Sequence, residues 1–484
     1  MSRMTKSNKI RLIAGIGATG LLALIALGLV LYLNAIDYKP RLEAVTSQAL
    51  GMDVKVAGPV GIGFFPSLTV KLRDVHVRTR GAEVASVEEI RLKARLWPLL
   101  FKQLQVESIA FQHPVLLIEQ EADGSFDLIR AAASAGVSPA LDVPTVTIAD
   151  GVFRYVDKQS GDEVDGTGCS LEMRDLHLAG GKRADFLKDL GFSAEIDCKE
   201  IGNRYFAVHA AKAVAVGEHG VVTLDPVTMQ VFGAEGTGSL RADYSGAVPG
   251  YAAQYSLPQF HVADFFSTLT KQAIGDGRMD FSVKLTFEGT NLAGMTDTMA
   301  GQFSLRGKDL VLKGRDLDME FSHFESSQHF NLVDLGALFF AGPIGLVVTK
   351  GYNFGNLLRG SEGSSEIPVL VSDWKIDRGV AQSQDVAMTT RLHRLALDGR
   401  LDFAGEKFEG VTIALIDLKG CPIVVQKITG SFRHPVVEQP SFLRTLSGPV
   451  LRLIKMGRDL FPGGTCKVFY KGSVAPPLAS ARTP

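Results

Sequence analysis

The chain has 484 residues, enough for two or three domains of ordinary size or for one repetitive architecture. Its 51 Lys and Arg offset 52 Asp and Glu to a formal net charge of −1, which argues against a nucleic-acid binder with its basic excess on one face. Two Trp and ten scattered His leave little material for an aromatic cage or a metal cluster, whereas 51 Gly, about 10% of the chain, suit a protein with many turns.

In chain order, the first feature is apolar. Leu12 to Leu33 are 22 consecutive positions without a charge. At ~1.5 Å per residue they make a helix of roughly 33 Å, matching a hydrocarbon core of ~30 Å. Arg3, Lys6, Lys9 and Arg11 precede the stretch with no acid among them. The positive-inside rule places residues 1–11 in the cytoplasm and everything after Leu33 across the membrane. A cleaved signal peptide has a shorter apolar core and small residues at its cleavage site. Here the exit reads Tyr32-Leu33-Asn34-Ala35-Ile36, so an uncleaved single-pass anchor is expected. Gly15-Ile16-Gly17-Ala18-Thr19-Gly20 inside it satisfies G-x-G-x-x-G. A dinucleotide site needs a strand before that motif and an acid after it; a membrane helix supplies neither.

Beyond the anchor the period changes. Tyr38 to Leu50 is a short amphipathic stretch, and strands follow. Leu68, Val70 and Leu72 alternate with Thr69, Lys71 and Arg73, the pattern of a half-buried strand. After Asp74 the apolar set is Val75 and Val77, a parity flip that predicts a bulge or bend. Ile90, Leu92, Ala94 and Leu96 alternate with the cations Arg91, Lys93 and Arg95 up to Pro98. Strands are predicted at Gln103–Phe111, Val115–Gln120, Val143–Ile148 and Val152–Val156, with a small-residue linker over 131–142. Phe281, Val283, Leu285 and Phe287 give the cleanest alternation, followed by Gln302–Leu305 and Asp309–Leu312. Leu332–Thr349 is apolar but carries Asp334 and Gly342-Pro343, which suits a buried or lipid-touching helical cover. Strands return at Ile367–Val371, Leu395–Phe403 and Val411–Ile416, Ser441–Phe461 has a helical pattern, and a disordered tail is expected over 476–484. The fold class is mainly β, with one greasy face along most of the chain.

Gly51 to Asp123 resembles the N-terminal region of the AsmA family. The residues that carry the likeness are Val54-Lys55-Val56-Ala57-Gly58, Phe64-Phe65-Pro66-Ser67-Leu68, Asp74-Val75, Ile90-Arg91-Leu92, Pro98-Leu99-Leu100, Val106-Glu107-Ser108-Ile109, Pro114 and Asp123-Gly124. A second region resembles the family's C-terminal signature: Asp385-Val386-Ala387, Gly399 to Phe403, Gly420-Cys421, Gln426 to Gly430, Gly448-Pro449-Val450, and Cys466 with Phe469-Tyr470 and Gly472-Ser473-Val474. Phe126-Asp127 stands where the family often has Asn-Trp. The resemblance implies an elongated, curved, taco-like antiparallel β-sheet groove with a few helices behind one N-terminal membrane helix. It divides the exported part into a chorein-like module over 34–130, a middle groove region over 143–330 and a C-terminal β region with helices over 331–475.

The same resemblance implies a bacterial inner-membrane protein whose bulk lies in the periplasm, with phospholipids, the inner membrane and outer-membrane components as partners, and a role in phospholipid traffic and outer-membrane homeostasis. Candidate groove-lining residues are Val70, Leu72, Ile90, Leu92, Leu96, Phe281, Val283, Leu285 and Phe287. Left to alternation alone, they would more commonly face a closed sandwich core. Stacking about 20 strands at ~4.8 Å would make a groove of roughly 100 Å. All four cysteines lie beyond the anchor, where an even count favours disulfides. Cys421 with Cys466 is the first pairing, because both sit in the family's signature, and Cys169 with Cys198 follows. No catalytic residue, metal or cofactor is expected: G-x-S-x-G, H-E-x-x-H and P-loop patterns are missing, and His323, Glu325 and His329 read as surface decoration. The rival function is an assembly factor that guides outer-membrane proteins by strand pairing at a sheet edge.

Overall fold

Alternating apolar and polar residues fold into long strands joined by tight turns, and the protein is mainly β. The computed structural model describes residues 39–64, 66–99, 101, 105–121, 137–138, 141–158, 161–178, 181–182, 188–203, 206–268, 274–322, 363–432, 434–439, 441–442 and 466–477. The chain divides into two compact units, Met1–Asp197 and Cys198–Pro484. The expected membrane anchor at 12–33 and the cover at Leu332–Thr349 lie outside the described residues. Among the described residues no helix is long and apolar enough to cross a membrane.

The first unit opens with helix α1 (Lys39–Leu50), where the amphipathic stretch was expected. Strands β1 (Asp53–Val56), β2 (Val60–Gly63), β3 (Leu68–Thr79) and β4 (Ala82–Ala94) follow. A short helix α2 (Leu96–Leu99) precedes β5 (Val106–Gln120) and the two-residue β6 (Val137–Ser138). Next come β7 (Leu141–Asp157), β8 (Asp162–Leu178) and the two-residue β9 (Gly181–Lys182), which pairs with β6. β3 holds β1 and β2 on one side and β4 on the other; β4 pairs with β5, and β7 with β8, all antiparallel. β5 and β7 pair in parallel, which corrects the expectation of a wholly antiparallel sheet. Positions 121–140 between them supply the dozen or more residues that a parallel return requires.

Two pairs of short predicted strands are single long strands. β5 joins the stretches on either side of His113, and β7 those on either side of Asp150, where the backbone turns left-handed at φ 47° and 52°. Asp74 on β3 does the same at φ 55°. Asp tolerates this region better than most residues. Pairing continues through the flip, Arg73 opposite Glu89 and Val75 opposite Val87. The parity change at Asp74 is thus a bend without a register shift at that point. Glu88 fills the corresponding place on β4, and His113 reaches both ways, Nδ1 lying 3.0 Å from Glu88 Oε2 and Nε2 3.3 Å from Asp150 Oδ2. A crease therefore crosses four strands at one level.

β10 (Leu190–Gly202) contains the division between the units. The second unit continues with β11 (Ala207–Glu218), β12 (Val221–Val231), β13 (Ala234–Asp243), β14 (Gly250–His261), helix α3 (Val262–Ser267) and β15 (Gly275–Glu288). Helix α4 (Leu292–Thr298), β16 (Ala300–Lys313) and helix α5 (Leu317–Ser322) follow. The remaining strands are β17 (Ser364–Asp377), β18 (Val380–Thr389), β19 (Arg394–Asp402), β20 (Lys407–Ile416), β21 (Pro422–Ser431), β22 (Pro435–Val437) and β23 (Ser441–Phe442). Each strand from β11 to β21 pairs antiparallel with the next, and β22 and β23 both pair with β21. The expected helix at Ser441–Phe461 begins as strand β23, and its remainder lies outside the described residues.

The main core belongs to the second unit. Phe260 and Met279 pack with Leu310, Leu317, Phe321 and Ile367, and the cluster extends through Leu370, Met388 and Leu395 to Ile413 and Ile428. Truncating Ile413, which is 0% exposed, removes a fully buried side chain. Ile413→Ala is expected to lower unfolding free energy by about 2–5 kcal/mol in a urea titration. A loss below ~1 kcal/mol would mean that this side of β20 is not a packed core.

Candidate lipid-binding surface

In the first unit, register turns separate alternating strands into one surface. Ile62 faces Val70, Val70 faces Leu92, Leu92 faces Ile109, Ile109 faces Val146 and Val146 faces Met173. Two residues along, Val60, Leu72, Ile90, Phe111, Ile148 and Leu171 form a parallel row. Positions two apart on a strand share a face, so these rows lie side by side. Six strands at ~4.8 Å make each row about 24 Å long. Val146 is buried and the other eleven are half-buried, neither sealed as in a sandwich core nor bare. Val60, Leu72, Ile90 and Phe111 also lean on a small core of Val54, Val56, Val75 and Val87.

Val70, Leu72, Ile90 and Leu92 of the sequence-derived set stand together in these rows. Leu96 does not: β4 ends at Ala94, and Leu96 opens helix α2, half-buried off the strand. Eight partners were missed: Val60, Ile62, Ile109, Phe111, Val146, Ile148, Leu171 and Met173. Their own alternation with Ser108, Ala110, Thr145, Thr147 and Glu172 carried the signal.

The opposite face is polar. Lys71, Arg91, Ala110, Thr147 and Glu172 lie opposite one another along it. Glu89 meets Arg91 at 2.6 Å and Arg73 at 3.1 Å, and these guanidinium groups hold its carboxyl below the usual range. Arg95 lies 3.5 Å from Glu107. The cationic row is thereby largely neutralised by its own neighbours, as befits a solvated outer face.

In the second unit, Phe281, Val283, Leu285 and Phe287 share one side of β15 and are each half-buried. They face Leu257, Tyr255, Ala253 and Tyr251 on β14. Phe287 stacks on Tyr251 with ring centroids 5.2 Å apart, and burial pushes the Tyr251 and Tyr255 hydroxyls up to about 12. On the other side Val283 faces Phe303 and Leu285 faces Gly301. A Cβ at Gly301, whose φ is 145°, would fall 2.0 Å from the Lys284 carbonyl oxygen, so this close approach requires glycine. From β16 onward the apolar side closes. Phe303 and Trp374 are each 2% exposed and stack at 5.8 Å. Phe281, Val283 and Leu285 sit at the margin of a sealed core, and Phe287 lies outside it.

Residues near the C-terminus assemble into a clasp. Cys421 and Cys466 form a disulfide with Cα atoms 6.0 Å apart, and no cysteine among the described residues is free. Tyr470 donates its hydroxyl proton to Asp385 Oδ1 at 2.5 Å, while Ser473 N–H donates to Oδ2 at 2.9 Å. Arg394 donates to the carbonyls of Val474 at 3.0 Å and Asp417 at 2.9 Å, with its guanidinium 5.6 Å from the centre of the Tyr470 ring. Tyr470 and Val474 cover Val371, Ala387, Ala396 and Ala414. A second polar knot joins Asp318 Oδ1 to Thr390 Oγ1 at 2.5 Å, Leu392 N at 3.2 Å and His393 Nδ1 at 2.8 Å. Burial would raise the Asp318 carboxyl, but hydrogen bonds from His393 and Thr390 outweigh it and hold the group low. Both knots hold backbone in place, through Ser473 N–H on Asp385 in the first and Leu392 N–H on Asp318 in the second. The His323, Glu325 and His329 cluster lies outside the described residues.

Residues 4–182 match the sequence model of the AsmA family. That stretch reaches through β9. Comparison with curated proteins and with solved structures gives no match.

Burial would raise the Asp385 carboxyl too, yet the hydrogen bonds from Ser473 and Tyr470 bring it below its ordinary value. A carboxyl lowered by folding contributes stability above its unfolded value near ~4 and loses it as pH falls through the folded value. Asp385→Asn should therefore cost about 1–2 kcal/mol at neutral pH, with the gap to wild type closing below pH ~4. Denaturant midpoints measured between those pH values check this; a gap that does not change would refute it.

Proposed function

We propose that this chain, which belongs to the AsmA family by its residues 4–182, is held in a bacterial inner membrane and carries lipid acyl chains on its apolar β-face in the periplasm. It supports phospholipid movement between the inner and outer membranes and makes or breaks no bond. The observation that carries this reading is the twelve-residue apolar surface of the first unit, eleven of whose members are only half-buried.

The energetics favour such a surface. Burying a methylene is worth ~0.8 kcal/mol, so two acyl chains crossing water would cost on the order of 20 kcal/mol. A hydrocarbon core of ~30 Å is two chains deep, so one chain spans ~15 Å. Rows of about 24 Å across the strands exceed that length. The rows offer no hydrogen-bonding side chain, which suits a saturated tail and gives a polar substrate nothing to bind.

A photo-crosslinking amino acid at Leu92 of the full-length, membrane-embedded protein tests the reading, with the same probe at Lys93 on the opposite face as control. Phospholipid adducts are expected at Leu92, few at Lys93, and several-fold fewer at Leu92 when Ile109→Asp is introduced. Equal labelling at the two positions would remove the lipid-carrying role. Protein adducts at Leu92 in place of lipid would instead support a chaperone for outer-membrane proteins.

A further inference from the structure

We infer that Trp97 and Phe101 form a bilayer-contact site at one end of the first unit's apolar face, touching the membrane that holds residues 12–33. This rests on the lipid-carrying reading above. The pair are 75% and 70% exposed, the two most exposed aromatic side chains among the described residues. They sit on the turn between β4 and β5, which is closed by Arg95 N–H to the Gln105 carbonyl and by Phe101 N–H to the Pro98 carbonyl, both at 2.9 Å. A constrained turn that presents Trp and Phe to solvent matches the chemistry of a membrane–water interface, where the amphipathic Trp ring accumulates and an apolar Phe ring is buried beneath the headgroups.

Their place in the fold selects the bilayer as occupant. Leu68 faces Ala94, and the turn follows Ala94 directly, so the apolar face runs out to the aromatic pair. Helix α1 lies antiparallel to β1. Val54 N–H reaches Ser47 Oγ at 2.9 Å and Val56 N–H reaches Glu43 Oε1 at 2.8 Å, while Lys39 Nζ reaches the Ala57 carbonyl at 3.3 Å. The start of the helix thus points toward the end of the sheet that bears Leu68 and Ala94, away from the Arg80–Gly81 turn. Leu33 lies six positions before Lys39, a reach of at most ~20 Å. Asp74 to Leu68 is also six positions, about 20 Å of strand. At full extension the connection therefore brings the anchor's exit to the Leu68–Ala94 end of the sheet, the end that bears the aromatic turn.

The composition supplies its own reporter. Of two tryptophans in the chain, Trp97 is exposed and Trp374 is 2% exposed. The full-length protein is reconstituted in vesicles of brominated or ordinary phosphatidylcholine and its emission compared. Bromolipid should quench up to about half of the emission, one tryptophan of two, and Trp97→Phe should abolish the quenching. Equal emission in both lipids, with Trp97→Phe still lowering the total, overturns the proposal. So does shielding of Trp97 from acrylamide in detergent without bromolipid quenching, which assigns the pair to a protein contact. Quenching that persists in a Leu92→Asp protein separates the two readings: the bilayer contact stands even where lipid no longer occupies the face. Crosslinking at Leu92 without quenching at Trp97 means that only the contact fails.

Discussion

Cross-strand register is the constraint on which the first unit depends. Side chains alternate with a period of two, so slipping one strand by one residue would move its whole apolar set to the wrong face. The rows through Val70 and Leu72 exist because β2, β3, β4, β5, β7 and β8 all keep the same parity where they pair. The crease obeys that constraint too. A lone left-handed residue would turn its own strand over against its neighbours. Asp74, His113 and Asp150 flip at matching levels, so the strands change parity together and the ladders continue.

Strand positions were largely legible, because alternation is local. Leu68 to Arg73 and Phe281 to Phe287 each advertise a strand and its greasy side. Where prediction split β5 and β7 in two, the break fell at the left-handed residues, so the local signal was sound and only continuity was misread. Three things were not local. The parallel partnership of β5 and β7 depends on the path of residues between them. The loss of Leu96 from the face depends on β4 ending at Ala94, before the parity pattern does. The depth of burial depends on what lies opposite: Phe281 and Phe303 show the same alternation, yet the first is half-buried and the second sealed.

The clasp residues near the C-terminus teach a related lesson. Asp385, Gly420, Cys421, Tyr470 and Ser473 stand far apart in sequence, and as an ungrouped set they resemble scattered chemistry. Brought together, they are a fastening in which every polar atom of the Asp385 carboxylate is engaged by the chain's own hydroxyl or amide. Asp318 plays a like part, its Oδ1 gathering Thr390 Oγ1 and His393 Nδ1. These polar residues secure backbone segments that strand pairing alone does not hold.

An apolar face without donors or acceptors also has a kinetic consequence on the lipid-carrying reading. Hydrophobic attraction is non-directional and scales with area removed from water. A chain that shifts along rows of Val, Leu, Ile and Phe exchanges one apolar contact for another of similar size, so no single position traps it. A hydrogen-bonding site would do the opposite, since each step would break a bond before making the next. Smooth, half-buried rows therefore favour movement over capture. Within the first unit that apolar contact carries on across the crease, because Leu72 and Ile90 on one side of it pack with Val75 and Val87 on the other.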